Sequence, residues 1–182
     1  MQEQEFVVQP MDRRAKRALI AVCAAVGAVL VALVVAALVY FLPPVALTDR
    51  ASSPENGYWL YYHENDIGFE GGLAAGVTRS DDCDTQGDAA LTQSVYEVLG
   101  QYTCRRSLGT LAGPSDSHLQ EGVIRSIDIL FAEETEGGAV QRSVVVYDDG
   151  TLLLDRTVYR MSASDANALM DDLLSVCAMQ PQ

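Results

Sequence analysis

The chain has 182 residues, is 49% apolar and carries a formal net charge of −13. These values exclude a polytopic membrane protein, a collagen-like fibre and a small disulfide knot. So acidic a chain is a poor electrostatic match to nucleic acid, and no nucleic-acid partner is expected.

The averages hide three unlike parts. Residues 1–17 carry four basic and three acidic groups, and residues 18–42 hold 24 apolar residues out of 25 with no charge. Residues 43–182 contain 22 acids against 8 arginines. The charge therefore divides into a slightly basic tail and a strongly acidic remainder, separated by an uncharged block.

Ala18 to Leu42 is an uninterrupted apolar run. As a helix it spans about 38 Å, against roughly 30 Å of bilayer hydrocarbon, so it can cross with some tilt. A cleaved secretory signal has an apolar region of only about 7–15 residues, which disfavours that alternative. Arg13, Arg14, Lys16 and Arg17 abut its start, whereas only Arg50, offset by Asp49, lies near its end. Cationic flanks stay in the cytoplasm, so the expected topology has the N-terminus inside and residues 43–182 outside the cell membrane. Tyr40 and Phe41 then fall at the outer interface, and Pro43-Pro44 stops the helix. Ala24, Ala28, Ala32 and Ala36 recur every four residues. Such a small-residue stripe lets a second helix approach closely, and a homodimer through the membrane helix is its functional reading; the competing one is that alanine is common in any anchor of this composition.

Residues 43–57, rich in proline and serine, read as a stalk. The globular part is then 58–182, long enough for one core without metal or disulfide support. Tyr58-Trp59-Leu60-Tyr61-Tyr62 is an aromatic strand with apolar residues on both faces. Core packing is its first reading, and partner recognition by Tyr58 and Trp59 the functional one. A weaker strand is expected around Leu73–Thr78. Leu91, Val95, Val98, Leu99 and Tyr102 share one helical face, which predicts a helix over 88–102. A long glycine- and serine-rich loop, Arg105 to Gly122, follows. It opens on Arg105-Arg106, the only adjacent basic pair of the acidic part, and is the better interaction candidate.

Ile127, Ile129 and Phe131 alternate as a strand does. Val140–Tyr147 and Thr151–Leu154 flank Asp148-Asp149-Gly150, a tight-turn sequence, so they form a hairpin. Val158 and Tyr159 continue or bend the second strand. Ser162 and Asp165 fit a helix cap, and Ala166, Leu169, Met170, Leu173, Leu174 and Cys177 mark the buried face of a final helix. The fold class is α+β: a single transmembrane helix, then an extracytoplasmic domain of antiparallel strands with two packed amphipathic helices.

Three cysteines lie outside the apolar run. Cys83 and Cys104 sit beyond opposite ends of the first helix, about 20 Å apart, too far for a bridge. Cys104 and Cys177 each follow a helix C-terminus, and parallel helices would bring them together. A Cys104–Cys177 disulfide is therefore the expected bridge, in a compartment that permits one.

From Asp82 the sequence reads Asp-x-Asp-x-Gln-Gly-Asp, with Gly87 at the sixth position of a calcium loop. Asp82, Asp84 and Asp88 are the candidate ligands. Gln86 and Gln93 depart from that pattern at the fifth and twelfth positions. The competing reading is acids gathered at a helix N-terminus. No other metal or cofactor is expected. His63 and His118 form no zinc-hydrolase pattern. Ser115-Asp116-Ser117-His118 holds triad residue types, but adjacent loop positions do not align them. No catalytic residue is assigned. The leading expectation is a non-enzymatic, membrane-anchored interaction, sensory or envelope-assembly module with a protein partner. The alternatives are an enzyme or enzyme inhibitor with an unrecognised site, and a calcium-responsive adhesion module. Eleven arginines against one lysine fit a GC-rich bacterial genome.

Overall fold

The computed structural model describes residues 12–51, 54–68, 74–111, 122–135, 137–154 and 157–178. The chain divides into two compact units, residues 1–40 and 41–182.

The first unit is built on one helix, α1 (Arg13–Phe41), which carries no buried residue. It is long and apolar enough to cross a membrane by length and composition. A helix satisfies its own backbone donors and acceptors, as a segment in lipid must. The stripe of Ala24, Ala28, Ala32 and Ala36 lies along this helix with its residues exposed. The helix is compatible with a single-pass membrane anchor.

The second unit is α+β. Its strands are β1 (Val45–Ala46), β2 (Tyr58–Gly68), β3 (Ala74–Asp84), β4 (Thr103–Arg106), β5 (Gly122–Thr135), β6 (Gly138–Tyr147), β7 (Thr151–Leu154) and β8 (Thr157–Arg160). They form one sheet in the order β1-β4-β8-β7-β6-β5-β2-β3. All described pairings are antiparallel. Two helices complete the unit, α2 (Ala89–Gly100) and α3 (Ala163–Val176).

Register decides which side chains share a face, because strand side chains alternate. Leu60 lies opposite Ile129, which lies opposite Val144, which lies opposite Leu154. Tyr62, Ile127, Val146, Leu152 and Tyr159 form the next row. These rows make the inner face. They pack with Val95, Val98 and Leu99 of α2 and with Ala166, Leu169, Met170 and Leu173 of α3 in one core. Burial of such side chains is worth about 1.5–3 kcal/mol each, so this face dominates the domain's stability.

Local chemistry sets the helix ends. Ser162 caps α3 by accepting from the Asp165 N–H at 3.0 Å, as its sequence predicts. Asp88 caps α2 by accepting from Leu91 N–H at 2.9 Å. Thr85 ties this corner to β2: its hydroxyl oxygen accepts from Tyr58 N–H at 2.8 Å. Asp148-Asp149-Gly150 forms the turn between β6 and β7, with Gly150 at φ +87°. A Cβ there would collide with the Met161 carbonyl oxygen, so only glycine fits.

Several expectations are corrected. Residues 43–57 are not a free stalk. Val45–Ala46 pairs with β4, Leu47 is only 3% exposed, and Leu47 N–H donates to Tyr102 O. The first helix ends at Gly100, and Tyr102 follows it. Strand β3 runs through Asp84, so the acids at 81, 82 and 84 lie within a strand rather than a pre-helix loop. The loop expected from Arg105 begins inside β4 and contains a 3-10 turn, Leu108–Leu111. Its residues 112–121, with Ser115-Asp116-Ser117-His118, lie outside the described residues. Val158 and Tyr159 belong to a separate strand, β8, which turns back along β7.

Candidate functional site

Alternation along β2 divides the aromatic run between two faces. Tyr58, Leu60 and Tyr62 are fully buried on the inner face. Trp59, Tyr61 and His63 point to the opposite, outer face, where Tyr61 is 37% exposed. Burial pushes the Tyr58 phenol well above its ordinary range, so it stays protonated in the core.

The outer face can be read from the same ladder. Trp59 lies opposite Leu130 on β5 and Asp84 on β3. Tyr61 lies opposite Asp128 and Asp82, and the row continues to Val145 on β6 and Leu153 on β7. His63 lies opposite Ser126 and Ser80. The result is a mixed surface of aromatic rings, carboxylates and small hydroxyls. Both α2 and α3 pack on the other side of the sheet.

Three outer-face groups are close enough for chemistry. The Ser80 hydroxyl and His63 Nδ1 are 3.2 Å apart. Asp128 lies diagonally from His63 on the neighbouring strand, and one of its oxygens, Oδ1, is buried without a hydrogen-bond partner among the described residues. Burial raises the Asp128 carboxyl above its ordinary value of 3.8, and His63 works in the opposite direction. A desolvated carboxylate with an unfilled acceptor favours a cationic or hydrogen-bond-donating neighbour. Histidine beside serine can also polarise a hydroxyl. Acyl transfer further needs donors aimed at a developing oxyanion. Here His63, Ser80 and Ser126 occupy paired positions of one continuous ladder. Backbone donors between paired strands are directed at the neighbouring strand.

A second polar cluster lies toward the inner side. Arg125 Nε donates to the Tyr62 phenol oxygen at 2.8 Å, Nη1 donates to Asn167 Oδ1 at 3.0 Å, and Nη2 pairs with Asp171. Tyr62 donates in turn to Glu64 Oε1 at 2.6 Å. Arg79 stands over the Tyr62 ring at 5.0 Å and Arg125 at 5.7 Å. The members satisfy one another, which is the pattern of a structural network.

The residues singled out in the sequence are dispersed. Arg105 faces outward beside Arg160, whereas Arg106 sits beside Tyr159 on the inner face. The adjacent basic pair is thus divided by the strand pleat. Asp82 and Asp84 lie on β3, and Asp88 caps α2. Asp84 Oδ1 also accepts from Gln86 N–H at 2.8 Å. Among the described residues no three His, Cys, Asp or Glu side chains gather as metal ligands would.

The expected Cys104–Cys177 bridge is also corrected. Both thiols are free. Cys104 is buried on β4, and Cys177, at the end of α3, has Cys83 of β3 as its hydrogen-bonding neighbour. The expectation failed because β4 and β3 lie near opposite ends of the strand order. Burial pushes the Cys104 thiol up to about 11.

An open cleft of about 480 Å³ lies between residues 55–57 and Gln86-Gly87 at the start of α2. The buried hydroxyls beneath it, Thr85 and Thr92, are bonded to each other at 2.9 Å.

Sequence reasoning missed Ser80, Asp128 and Arg125 and set His63 aside. Strand register brings Ser80, Asp128 and His63 together on the outer face and Arg125 beside Tyr62 on the inner side. No family model, curated protein or solved structure matches the chain at a significant level.

Proposed function

We propose that the chain is a single-pass, membrane-anchored interaction module with its N-terminal tail in the cytoplasm and residues 43–182 outside. The observation that carries this reading is the pairing of an apolar helix that buries none of its residues with a separately compact α+β unit. Arg13, Arg14, Lys16 and Arg17 at the helix start support the orientation. The partner is a protein, recognised on the outer face of β2 and β5. Trp59 and Tyr61 offer contact area, and Asp128 offers an unfilled acceptor. Aromatic residues with a few convergent polar groups are typical of recognition surfaces.

Two measurements test the reading. A C-terminal alkaline phosphatase fusion is active if the domain is outside, whereas a fluorescent-protein fusion in its place is dark when exported through a general secretion channel. The reverse pattern overturns the topology. A photoreactive amino acid at Tyr61, activated in the native membrane, gives a discrete protein adduct that is absent when the probe is placed at Arg105. Equal adducts at both positions overturn the assignment of the contact to β2 and β5.

A second reading, an enzyme with a serine nucleophile, draws on the 3.2 Å contact between Ser80 and His63. A fluorophosphonate probe that labels the wild type but not Ser80→Ala would place this reading first.

A further inference from the structure

Cys83 and Cys177 lie far apart in sequence and come together in the fold. Cys83 occupies an inner-face position of β3, opposite the fully buried Leu60. Cys177 follows Leu173 by one turn on α3, its N–H bonded to the Leu173 carbonyl oxygen. Both pack against the same core cluster. The Cys83 thiol is the neighbouring group that acts on the Cys177 thiol. Each is partly exposed, whereas Cys104 is only 2% exposed.

We propose that Cys83 and Cys177 are a disulfide-forming pair, oxidised by a disulfide donor of the thiol-oxidoreductase or small-molecule disulfide class. The cellular occurrence of the bond rests on the extracytoplasmic placement proposed above, but the pairing chemistry does not. The Cys83 thiolate attacks one sulfur of the donor disulfide, and the donor's other sulfur leaves as a thiolate that takes up a proton. Cys177 then loses its proton to solvent or base and attacks the Cys83 sulfur. The new bond forms as the mixed disulfide breaks and the second donor sulfur departs. Two protein thiols are oxidised by two electrons, and one donor disulfide is reduced to two thiols. Burial and the neighbouring Cys83 hold the Cys177 thiol well above its ordinary range.

The bond has a structural role. Strand β3 ends the sheet and has one described neighbour, β2. A Cys83–Cys177 bridge fastens that strand to the end of α3 and closes a loop of about ninety residues, which strongly restricts the unfolded chain.

The test uses the full chain in detergent micelles, incubated with oxidised glutathione and digested without reduction. A Cys83–Cys177 linked peptide about 2 Da lighter than the summed free peptides is expected. The bridge persists in Cys104→Ser and is lost in Cys83→Ser and Cys177→Ser. The oxidised protein melts at least about 5 °C above the reduced one. A Cys104–Cys177 peptide, or separate glutathione adducts on Cys83 and Cys177, overturns the pairing, as does complete inertness of both thiols. If the purified chain forms the bridge but chain trapped by acid quench from cells is reduced, the pair stands and the topology reading falls.

Discussion

The guanidinium of Arg125 donates to the phenol oxygen of Tyr62 at 2.8 Å, and both this arginine and Arg79 stand over the Tyr62 ring, at 5.7 and 5.0 Å. The contact joins β5 to β2, and the remaining Arg125 donors reach Asn167 and Asp171 on α3. One planar fork thus orients the last helix against the sheet. Burial works against the Arg125 charge, but Asp171 and Tyr62 more than compensate, so the group is held above its ordinary range. The same α3 ends at Cys177, which has Cys83 of β3 as its neighbour.

Arg125→Ala should therefore destabilise the domain by about 1–3 kcal/mol, because Tyr62 and Asn167 lose a charged partner in a partly buried site. Arg125→Lys should recover less than half of that, since an ammonium cannot reproduce the fork. Urea denaturation of the full chain in micelles measures both. Equal stability of Lys and Arg at this position would show that charge alone matters.

Gly150 and Gly87 provide a paired test of backbone conformation. Both have positive φ, +87° and +82°. A Cβ at Gly87 meets open space, whereas one at Gly150 meets the Met161 carbonyl oxygen. Gly87→Ala should cost about 1 kcal/mol, the strain of left-handed backbone alone. Gly150→Ala should cost at least about twice that, because Met161 N–H also donates to Gly150 O and the contact cannot open freely. Thermal melts that rank the two variants equally would contradict the close approach.

Features with a local cause could be read in the sequence, and features made by register could not. Ser162, the apolar stripe of α3 and the Asp148-Asp149-Gly150 turn each act within a few residues, so the last third was legible. Strand β3 was only half read, because Asp81, Asp82 and Asp84 are poor strand formers. They are tolerated on a strand that ends the sheet, where charge discourages pairing with another chain. Strand β4 is four residues long and begins three residues after α2, too short for periodicity to show. The outer-face groups were invisible for a different reason. His63, Ser80 and Asp128 come from three strands, and a one-residue slip in register would separate them. The cysteine pairing failed on the same point, since helix ends alone do not say which strand lies beside them.

Asp128 makes a pH-dependent prediction. Its folded carboxyl is raised above the ordinary 3.8 by burial. Between 3.8 and the raised value the folded state holds its proton more firmly than the unfolded chain does. Stability from this group is therefore present below 3.8 and declines as pH rises through that window. Asp128→Asn should be more stable than the wild type at pH 7 and indistinguishable from it below pH 3.8. Melts across this range check the sign. The same variant should weaken the Tyr61 photo-adduct, because a group retained at a cost to stability is characteristic of a functional surface.

Leu47 gives the sharpest test of where the domain begins. It lies in a proline-containing segment that sequence alone assigns to a stalk, yet it is buried with Leu99 and Tyr159 in the core. Its neighbours Val45 and Ala46 complete the far edge of the sheet by pairing with β4. If the contact is integral, Leu47→Ala removes buried methyl groups and leaves a cavity at a cost of about 2–5 kcal/mol. Leu108, 66% exposed on its 3-10 turn, is the matched comparison, and Leu108→Ala should stay within about 0.5 kcal/mol of the wild type. Urea midpoints of the two variants decide the matter. A neutral Leu47→Ala would return residues 43–57 to the role of a linker. A large effect confined to Leu47 means that the folded unit already includes Leu47 and does not begin at Tyr58.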